Sequence, residues 1–96
     1  MRTVLILLIL AASPAQAAKS CLAHVQGSET AVTPAMELAK VNAQVRWSAK
    51  VVAQIGTQYS NWGNAENART SCRKATNLLG INGYKCRAAG NPCIFE

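Results

Sequence analysis

Four cysteines carry the clearest chemistry in the chain, and they stand at positions 21, 72, 86 and 93. An even number of cysteines in a short exported chain is typical of a disulfide framework. Cys72 bonded to Cys86 would clamp a hairpin, and Cys21 bonded to Cys93 would then tether the two ends. The pairing of Cys72 with Cys93 and of Cys21 with Cys86 stays open. Each bridge would add roughly 2–4 kcal/mol to the free energy of unfolding.

A metal site is the alternative use of these thiols. Residues 21–24 (CLAH) have a spacing suited to two ligands, but zinc sites normally offer two close pairs of ligands. Cys86 and Cys93 lie too far apart in sequence to form such a pair, and Cys72 stands alone. The C-x-x-C motif of thioredoxin-like redox proteins is also missing. We therefore predict no metal and no cofactor.

Side chains suited to catalysis are scarce. His24 is the only histidine, and it lies in a segment without clear periodicity. Glu37 and Glu66 fit exposed helix positions better than a catalytic pair of carboxylates. All four acidic residues are glutamates, so no aspartate could complete a serine triad. We expect the protein not to be an enzyme, and an enzyme centred on His24 is a weak alternative.

Basic side chains form the best candidate binding site. They cluster in the C-terminal third of the chain at Arg69, Arg73, Lys74, Lys85 and Arg87. Such a patch could hold a phosphate, a carboxylate or an acidic protein. The simpler interpretation is a solvated strand face whose charges prevent edge-to-edge aggregation.

Trp62 is a further candidate binding residue, since tryptophan and arginine dominate binding hot spots. Trp47 and Tyr59 lie close to it in sequence, and three aromatic residues in so small a domain favour a shared core. An exposed tryptophan would reverse this interpretation.

The N-terminal residues predict the compartment. Residues 1–17 combine an early arginine, the apolar run VLILLILAA and a small-x-small end, which is the pattern of a secretory signal peptide. The apolar run is shorter than the roughly 20 residues that span a bilayer. We predict cleavage after Ala17 or Ala18, a periplasmic or secreted protein, and no stable membrane anchor after cleavage. The remaining chain forms one small domain that needs covalent support.

The elements that would position these residues begin with an extended arm at 18–33, which Cys21 would tether. Thr33 and Pro34 are suited to the N-cap and first turn of a long helix that would end at Gly56. Large apolar residues recur on this helix at steps of three and four, which predicts a stripe that faces the core. That stripe comprises Leu38, Val41, Val45, Ala49, Val52 and Ile55, with Trp47 and Val51 on an adjoining stripe.

The rest of the domain, which we expect to span residues 34–96, would hold a second, shorter helix within 58–68 and a hairpin. Residues 69–76 and 84–89 read as two strands joined by the NLLGING turn. A turn centred on Leu79 would place Cys72 opposite Cys86 and Arg73 opposite Lys85. One face would then carry Cys72, Lys74, Tyr84 and Cys86, and the other would carry Ser71, Arg73, Lys85 and Arg87. A shift of one residue in register would rearrange these faces.

These features resemble a family of small, uncharacterised exported bacterial proteins. The resemblance covers about half of the chain, from Trp47 to Cys93. Its pattern reads W-x3-V-x3-(Y/I)-G, then Y-x2-W-x2-A, then C, C and P-C, with Ile55 where tyrosine is usual and a longer NLLGING turn. The resemblance implies a helix-plus-hairpin domain with disulfides, and it implies no activity and no catalytic residues.

We therefore predict an α+β fold with one long helix, one short helix and a C-terminal two-stranded antiparallel hairpin, closed by two disulfides. The predicted function is a non-enzymatic exported interaction module whose basic hairpin binds an anionic envelope polymer or an acidic protein. The alternative is a small secreted inhibitor or accessory subunit that binds a protein through an apolar and aromatic helix face. That face could also support a homodimer, and we expect no nucleic-acid partner.

Overall fold

A computed structural model describes residues 19–95 as one helix and five strands in two small antiparallel sheets. The predicted signal peptide at 1–17 lies outside the described residues. The elements are β1 (Lys19–Cys21), β2 (Val25–Gln26), α1 (Met36–Gln54), β3 (Glu66–Thr76), β4 (Asn82–Asn91) and β5 (Cys93–Phe95). The predicted arrangement of two helices and a C-terminal two-stranded hairpin is therefore wrong.

β4 is the central strand of the larger sheet, whose order is β2-β4-β3. β1 and β5 form the second sheet, in which Cys21 lies opposite Cys93. The hairpin prediction accounted for β3 and β4 but not for the strands on their far sides. The reason is that the arm predicted at 18–33 has little apolar periodicity, and its described residues, 19–33, join the sheets mainly through their backbone. Short strands of two or three residues leave almost no pattern to detect.

The arm follows β4 beyond the end of β2, with one extra residue relative to its partner. The Gly27 N–H donates to the Ala88 carbonyl at 2.8 Å, and the Thr30 N–H donates to the Cys86 carbonyl at 2.9 Å. Three steps along the arm thus match two steps along β4, which is the geometry of a bulge. The buried Thr30 hydroxyl accepts a hydrogen bond from the Cys86 N–H at 3.0 Å and keeps that amide satisfied.

The β3–β4 hairpin has Cys72 opposite Cys86 and Arg73 opposite Lys85. Both strands are longer than predicted, because β3 begins at Glu66 and β4 extends from Asn82 to Asn91. The register is irregular between Glu66 and Arg69. Two disulfides are present, and they join Cys72 to Cys86 and Cys21 to Cys93. They resolve the pairing that the sequence left open.

Two 3-10 turns, Thr57–Tyr59 and Trp62–Asn64, replace the predicted short helix. Polar side chains stabilise the turns: the Ser60 hydroxyl donates to the Thr57 carbonyl at 2.7 Å, and the Asn61 side-chain oxygen accepts from the Gly63 N–H at 2.9 Å. Such local bonds compete with helix formation. A short segment that contains Gly63 gains too little from helix propagation to overcome them.

α1 begins at Met36, two residues later than predicted, with Ala35 as an N-cap that makes no side-chain hydrogen bond. Thr33 is not the cap, since it pairs with Tyr84 of β4 instead. The helix ends at Gln54, and the N–H groups of Ile55 and Gly56 both donate to the Val51 carbonyl. Among residues 19–95, no helix has the length and apolar character needed to cross a membrane.

The helix packs on the sheet through the face that contains Trp47 and Val51, which the sequence analysis assigned to an adjoining stripe. The buried residues are Ala39, Ala43, Trp47 and Val51. The predicted stripe is wrong, because its leucine, valine and isoleucine side chains are exposed on the other side of the helix. Small residues let the helix lie close to the strands: a Cβ added to Gly27 would stand 3.0 Å from Trp47 Cα. A search for periodically spaced large apolar residues does not detect a buried face that contains several alanines.

The same substitution, valine to alanine, at two neighbouring positions tests this assignment. Val51 is fully buried and Val52 is 45% exposed. We expect Val51→Ala to lower the free energy of unfolding by about 2 kcal/mol, because it removes buried methyl groups and leaves a cavity. Val52→Ala should stay within about 0.5 kcal/mol of the wild type. Urea denaturation of both variants measures the difference, and a larger loss at Val52 would contradict the packing described here.

The two disulfides should contribute unequally, because they close loops of different length. Cys21–Cys93 spans 72 residues and Cys72–Cys86 spans 14. From loop-closure entropy, alanine substitution of the first pair should cost about 4 kcal/mol and of the second about 3 kcal/mol. Cys86 and Cys93 are both fully buried, while Cys72 is half-buried and Cys21 is exposed, so the loss of side-chain packing alone would favour the opposite order. Chemical denaturation checks the predicted order, and an equal or reversed order would rule out loop length as the dominant factor.

Candidate anion-binding site

An open groove lies on the face of the larger sheet that points away from the helix. Side chains alternate between the two faces of a strand. Cys72 and Cys86 occupy the inner face, so their neighbours Arg73, Lys85 and Arg87 occupy the outer one. The groove has a volume of about 550 Å³. The sheet therefore separates an apolar inner face from a cationic outer face.

The lining of the groove comes from the arm and from both strands of the hairpin. Four cations and one carboxylate lie among the lining side chains, which gives the groove a net charge of +3. The charged residues are Arg69, Arg73, Lys85, Arg87 and Glu29. Such a concentration of positive charge on a concave surface attracts anions.

Glu29 crosses the sheet to reach Arg73. The arm and β3 lie on opposite sides of β4, and the bulge between Gly27 and Thr30 carries Glu29 over the outer face. The Arg73 Nε–H donates to one Glu29 carboxylate oxygen at 2.8 Å, and an Arg73 Nη2–H donates to the other at 3.0 Å. This bidentate contact is the strongest geometry between a guanidinium and a carboxylate.

The surrounding cations favour the charged form of Glu29. The hydrogen bonds from Arg73 lower the pKa of Glu29 below its ordinary 4.5, against an opposing effect of burial, and the charges of Arg73, Lys85 and Arg87 lower it further. The same hydrogen bonds raise the pKa of Arg73. The groove thus stabilises the ionised state of the Glu29 carboxylate.

The cations are arranged in rows along the strands. Arg69, Ser71 and Arg73 occupy every second position of β3 on the outer face. Arg87 lies opposite Ser71, and Lys85 lies opposite Arg73. Successive rows on one face of a strand are about 7 Å apart, so the cations extend over about 13 Å. Arg73 and Lys85 face each other directly, which is unfavourable for like charges. Glu29 offsets part of this repulsion.

Two of the predicted binding residues lie outside the groove. Lys74 belongs to the inner face of the hairpin, opposite Tyr84, and lines a separate depression beside Pro34. Trp62 is half-buried and packs edge-on against Trp47, with the ring centroids 5.0 Å apart. Neither residue shares the site formed by the other four predicted basic side chains.

His24 lies at the groove, but its contacts tie down the arm. Its Nδ1 atom is 3.4 Å from the Asn91 side-chain oxygen. The Asn91 side-chain N–H in turn donates to the Leu22 carbonyl at 2.8 Å, and the Asn67 side chain donates to the same Asn91 oxygen at 3.2 Å. These polar contacts hold the arm, β4 and the start of β3 together.

The sequence did not identify Glu29 and Gln26 as parts of this site. Both come from the arm, and Glu29 is 44 positions from Arg73. The available signal was one acidic residue in a segment without periodicity, which does not predict a contact across the sheet.

One further cluster has the residue types of a metal site. Cys21, Cys93 and Glu66 bring a potential ligand atom each to within 4.8 Å of one another. Because the two cysteines are joined in a disulfide, they offer no thiolate to a metal. Glu66 instead forms an ion pair with Lys19 at 3.5 Å. The chemistry of this cluster is that of a structural clamp.

No protein-family model, curated protein or solved structure that was compared with the chain matches it. The resemblance to small exported bacterial proteins therefore stays a prediction. The two disulfides indicate an oxidising, non-cytoplasmic environment. Within the described residues, the groove is the place where the geometry most directly supports a chemical role.

The Glu29–Arg73 contact predicts a measurable pH dependence. A lowered folded-state pKa means that ionised Glu29 stabilises the fold above its ordinary pKa of 4.5 and that this contribution is lost as the pH falls through the folded-state value. Arg73→Gln should raise the pKa of Glu29 in the folded protein. NMR titration of the Glu29 carboxyl carbon measures it, with Lys40→Gln as a control of equal charge change. An unchanged pKa in Arg73→Gln would contradict the contact.

Proposed function

We propose that the protein is a non-enzymatic binding module of the periplasm or the extracellular space. Its groove holds carboxylate groups of an anionic envelope polymer or of an acidic protein surface. Arg69, Arg73, Lys85 and Arg87 contact the partner, and the rest of the domain keeps them in place.

The position of the charges on the central strand carries this proposal. Lysine and arginine on an edge strand are commonly explained by protection against aggregation. Lys85 and Arg87 lie on β4, which has neighbours on both sides. Edge protection therefore does not account for them. Their repulsion of Arg73 costs stability, and binding an anion would relieve it.

Glu29 supports a carboxylate as the bound group. Its side chain occupies one end of the cation cluster in the manner that a partner's carboxylate would, with both oxygens on one guanidinium. A planar fork of donors suits a carboxylate and fixes its orientation. Glu29 then competes with the partner for Arg73 and limits the affinity of the groove for single small anions.

The length of the cation rows supports a polymer or an extended protein segment. The rows reach about 13 Å along the strands, while one carboxylate occupies Arg73 alone. Several weak contacts along a chain would act together, so that the overall affinity exceeds that of any one contact.

The exposed helix stripe favours a second candidate function. Leu38, Val41, Val45 and Val52 lie uncovered on one side of α1. A small inhibitor or accessory subunit would bury this stripe against a protein partner. The aromatic residues that we expected on this face are not part of it, since Trp47 is fully buried and Trp62 is packed against it.

Poly-L-glutamate is a suitable probe for the groove. We expect it to bind the oxidised protein and to bind more weakly as the salt concentration rises, because the contact is electrostatic. The triple substitution Arg73→Gln, Lys85→Gln and Arg87→Gln should abolish binding. Glu29→Gln should strengthen it several-fold, since it frees Arg73. Isothermal titration calorimetry measures all of these affinities.

A matched control separates the site from total charge. Lys19→Gln, Lys40→Gln and Lys74→Gln together remove the same charge at positions that do not line the groove. This variant should keep most of the affinity. Equal losses in the two triple variants would show that only net charge matters. A loss of affinity in Glu29→Gln would contradict competition for Arg73.

A further inference from the structure

The tip of the β3–β4 hairpin presents apolar side chains directly to solvent. Leu78 is fully exposed, Leu79 is 84% exposed and Ile81 is 49% exposed. They lie within four residues, 78–81, at the end of the two longest strands. Turns normally use polar residues at such positions. Exposing three large apolar side chains to water is unfavourable, whereas polar side chains at these positions would carry no such cost.

This tip is nevertheless held in one conformation. The Asn77 side-chain oxygen accepts hydrogen bonds from the N–H groups of Leu79 and Ile81, both at 2.9 Å. The backbone adds bonds from Gly80 N–H to the Asn77 carbonyl and from Asn77 N–H to the Ile81 carbonyl. Gly80 adopts a φ of 80°, which glycine tolerates without strain. An ordered tip loses little conformational entropy on binding.

Basic residues stand behind the tip at a defined distance. Lys74 is four residues before Leu78, and Lys85 is four residues after Ile81, so each α-carbon lies no more than about 13 Å from the apolar end. The two lysines sit on opposite faces of the hairpin. Tyr84, a half-buried aromatic residue, lies beside Lys85. The hairpin therefore ends in three exposed apolar residues, Leu78, Leu79 and Ile81, which we call the wedge. The two lysines behind them, Lys74 and Lys85, form a cationic collar.

We propose that this hairpin tip inserts into the surface of an anionic lipid bilayer. Side chains of amphipathic membrane-binding elements penetrate about 5–10 Å into the boundary between headgroups and acyl chains. At that depth, Leu78, Leu79 and Ile81 lie among acyl chains. Lys74 and Lys85 then reach the lipid phosphates, because a lysine side chain can extend its ammonium group toward the headgroups. The charge of the collar selects negatively charged lipids.

The wedge differs from the groove in chemistry and, with its collar, shares only Lys85 with it. The groove uses Arg69, Arg73 and Arg87 farther along the sheet, while the wedge uses the turn itself. Arg73 and Lys85 connect the two surfaces, so a bound membrane would lie near one end of the groove. The wedge does not rest on the function proposed for the groove, and its test leaves the groove arginines unchanged.

Vesicle sedimentation tests the wedge with the oxidised protein. The probes are vesicles of equal parts phosphatidylcholine and phosphatidylglycerol, and vesicles of phosphatidylcholine alone. We expect clear binding to the anionic vesicles and at least about tenfold weaker binding to the neutral ones. Leu78→Ser with Leu79→Ser should weaken binding to anionic vesicles by about tenfold or more, because it removes the inserted apolar area.

Val41→Ser with Val45→Ser is the matched control, since it removes two exposed apolar side chains from the helix. It should retain wild-type binding. Thermal unfolding of both double variants should match the wild type, because all four positions are exposed. The proposal is overturned if the wild type binds neither kind of vesicle, if the leucine variant binds as well as the wild type, or if the helix variant loses as much affinity as the leucine variant. It is also overturned if Leu78 and Leu79 prove to mediate association of the protein with itself in place of vesicle binding.

Discussion

Trp47 makes the contact on which the rest of the structure depends. Its side chain is fully buried, its Nε1–H donates to the Val25 carbonyl at 3.0 Å, and its ring forms a T-shaped contact with the ring of Trp62. One side chain thus joins the helix, the arm and the 3-10 turns. Because β2 is fixed to β4 at this point, the arm must follow β4 and bulge past Gly27. That bulge is what delivers Glu29 to the far side of the sheet.

The groove shows how the fold tolerates a cluster of like charges. Arg73 faces Lys85 in the register position next to the pair Cys72 and Cys86. The disulfide on the inner face holds β3 to β4 where repulsion on the outer face would separate them. Glu29 supplies a second, reversible restraint across the same strands. A covalent bond and an ion pair therefore share the work of keeping the cationic face intact, and only the ion pair can be exchanged for a partner.

The sequence predicted what depends on neighbours in the chain. The turn residues implied the register that places Arg73 opposite Lys85, and this register is observed. Most of the predictions that failed concern contacts between residues distant in sequence. The arm became part of both sheets through backbone bonds that carry no sequence signal. Glu29 reached Arg73 from 44 positions away. The short helix gave way to turns because Asn61 and Ser60 bind their own backbone, a competition that apolar periodicity cannot reveal.

The buried face of α1 consists largely of small residues, and this choice has a physical cause. A chain of this size buries small residues, such as Ala39, Ala43 and Ala88, because they let a helix and a three-stranded sheet approach closely. None of the leucines or isoleucines among residues 19–95 belongs to the buried core. Isolated exposed apolar residues are common, but here they gather on one side of α1 and at the hairpin tip. Such surfaces give up favourable burial in the free protein, and contact with a partner restores it. The distribution of apolar residues that led to the wrong helix face therefore supports the proposed binding role.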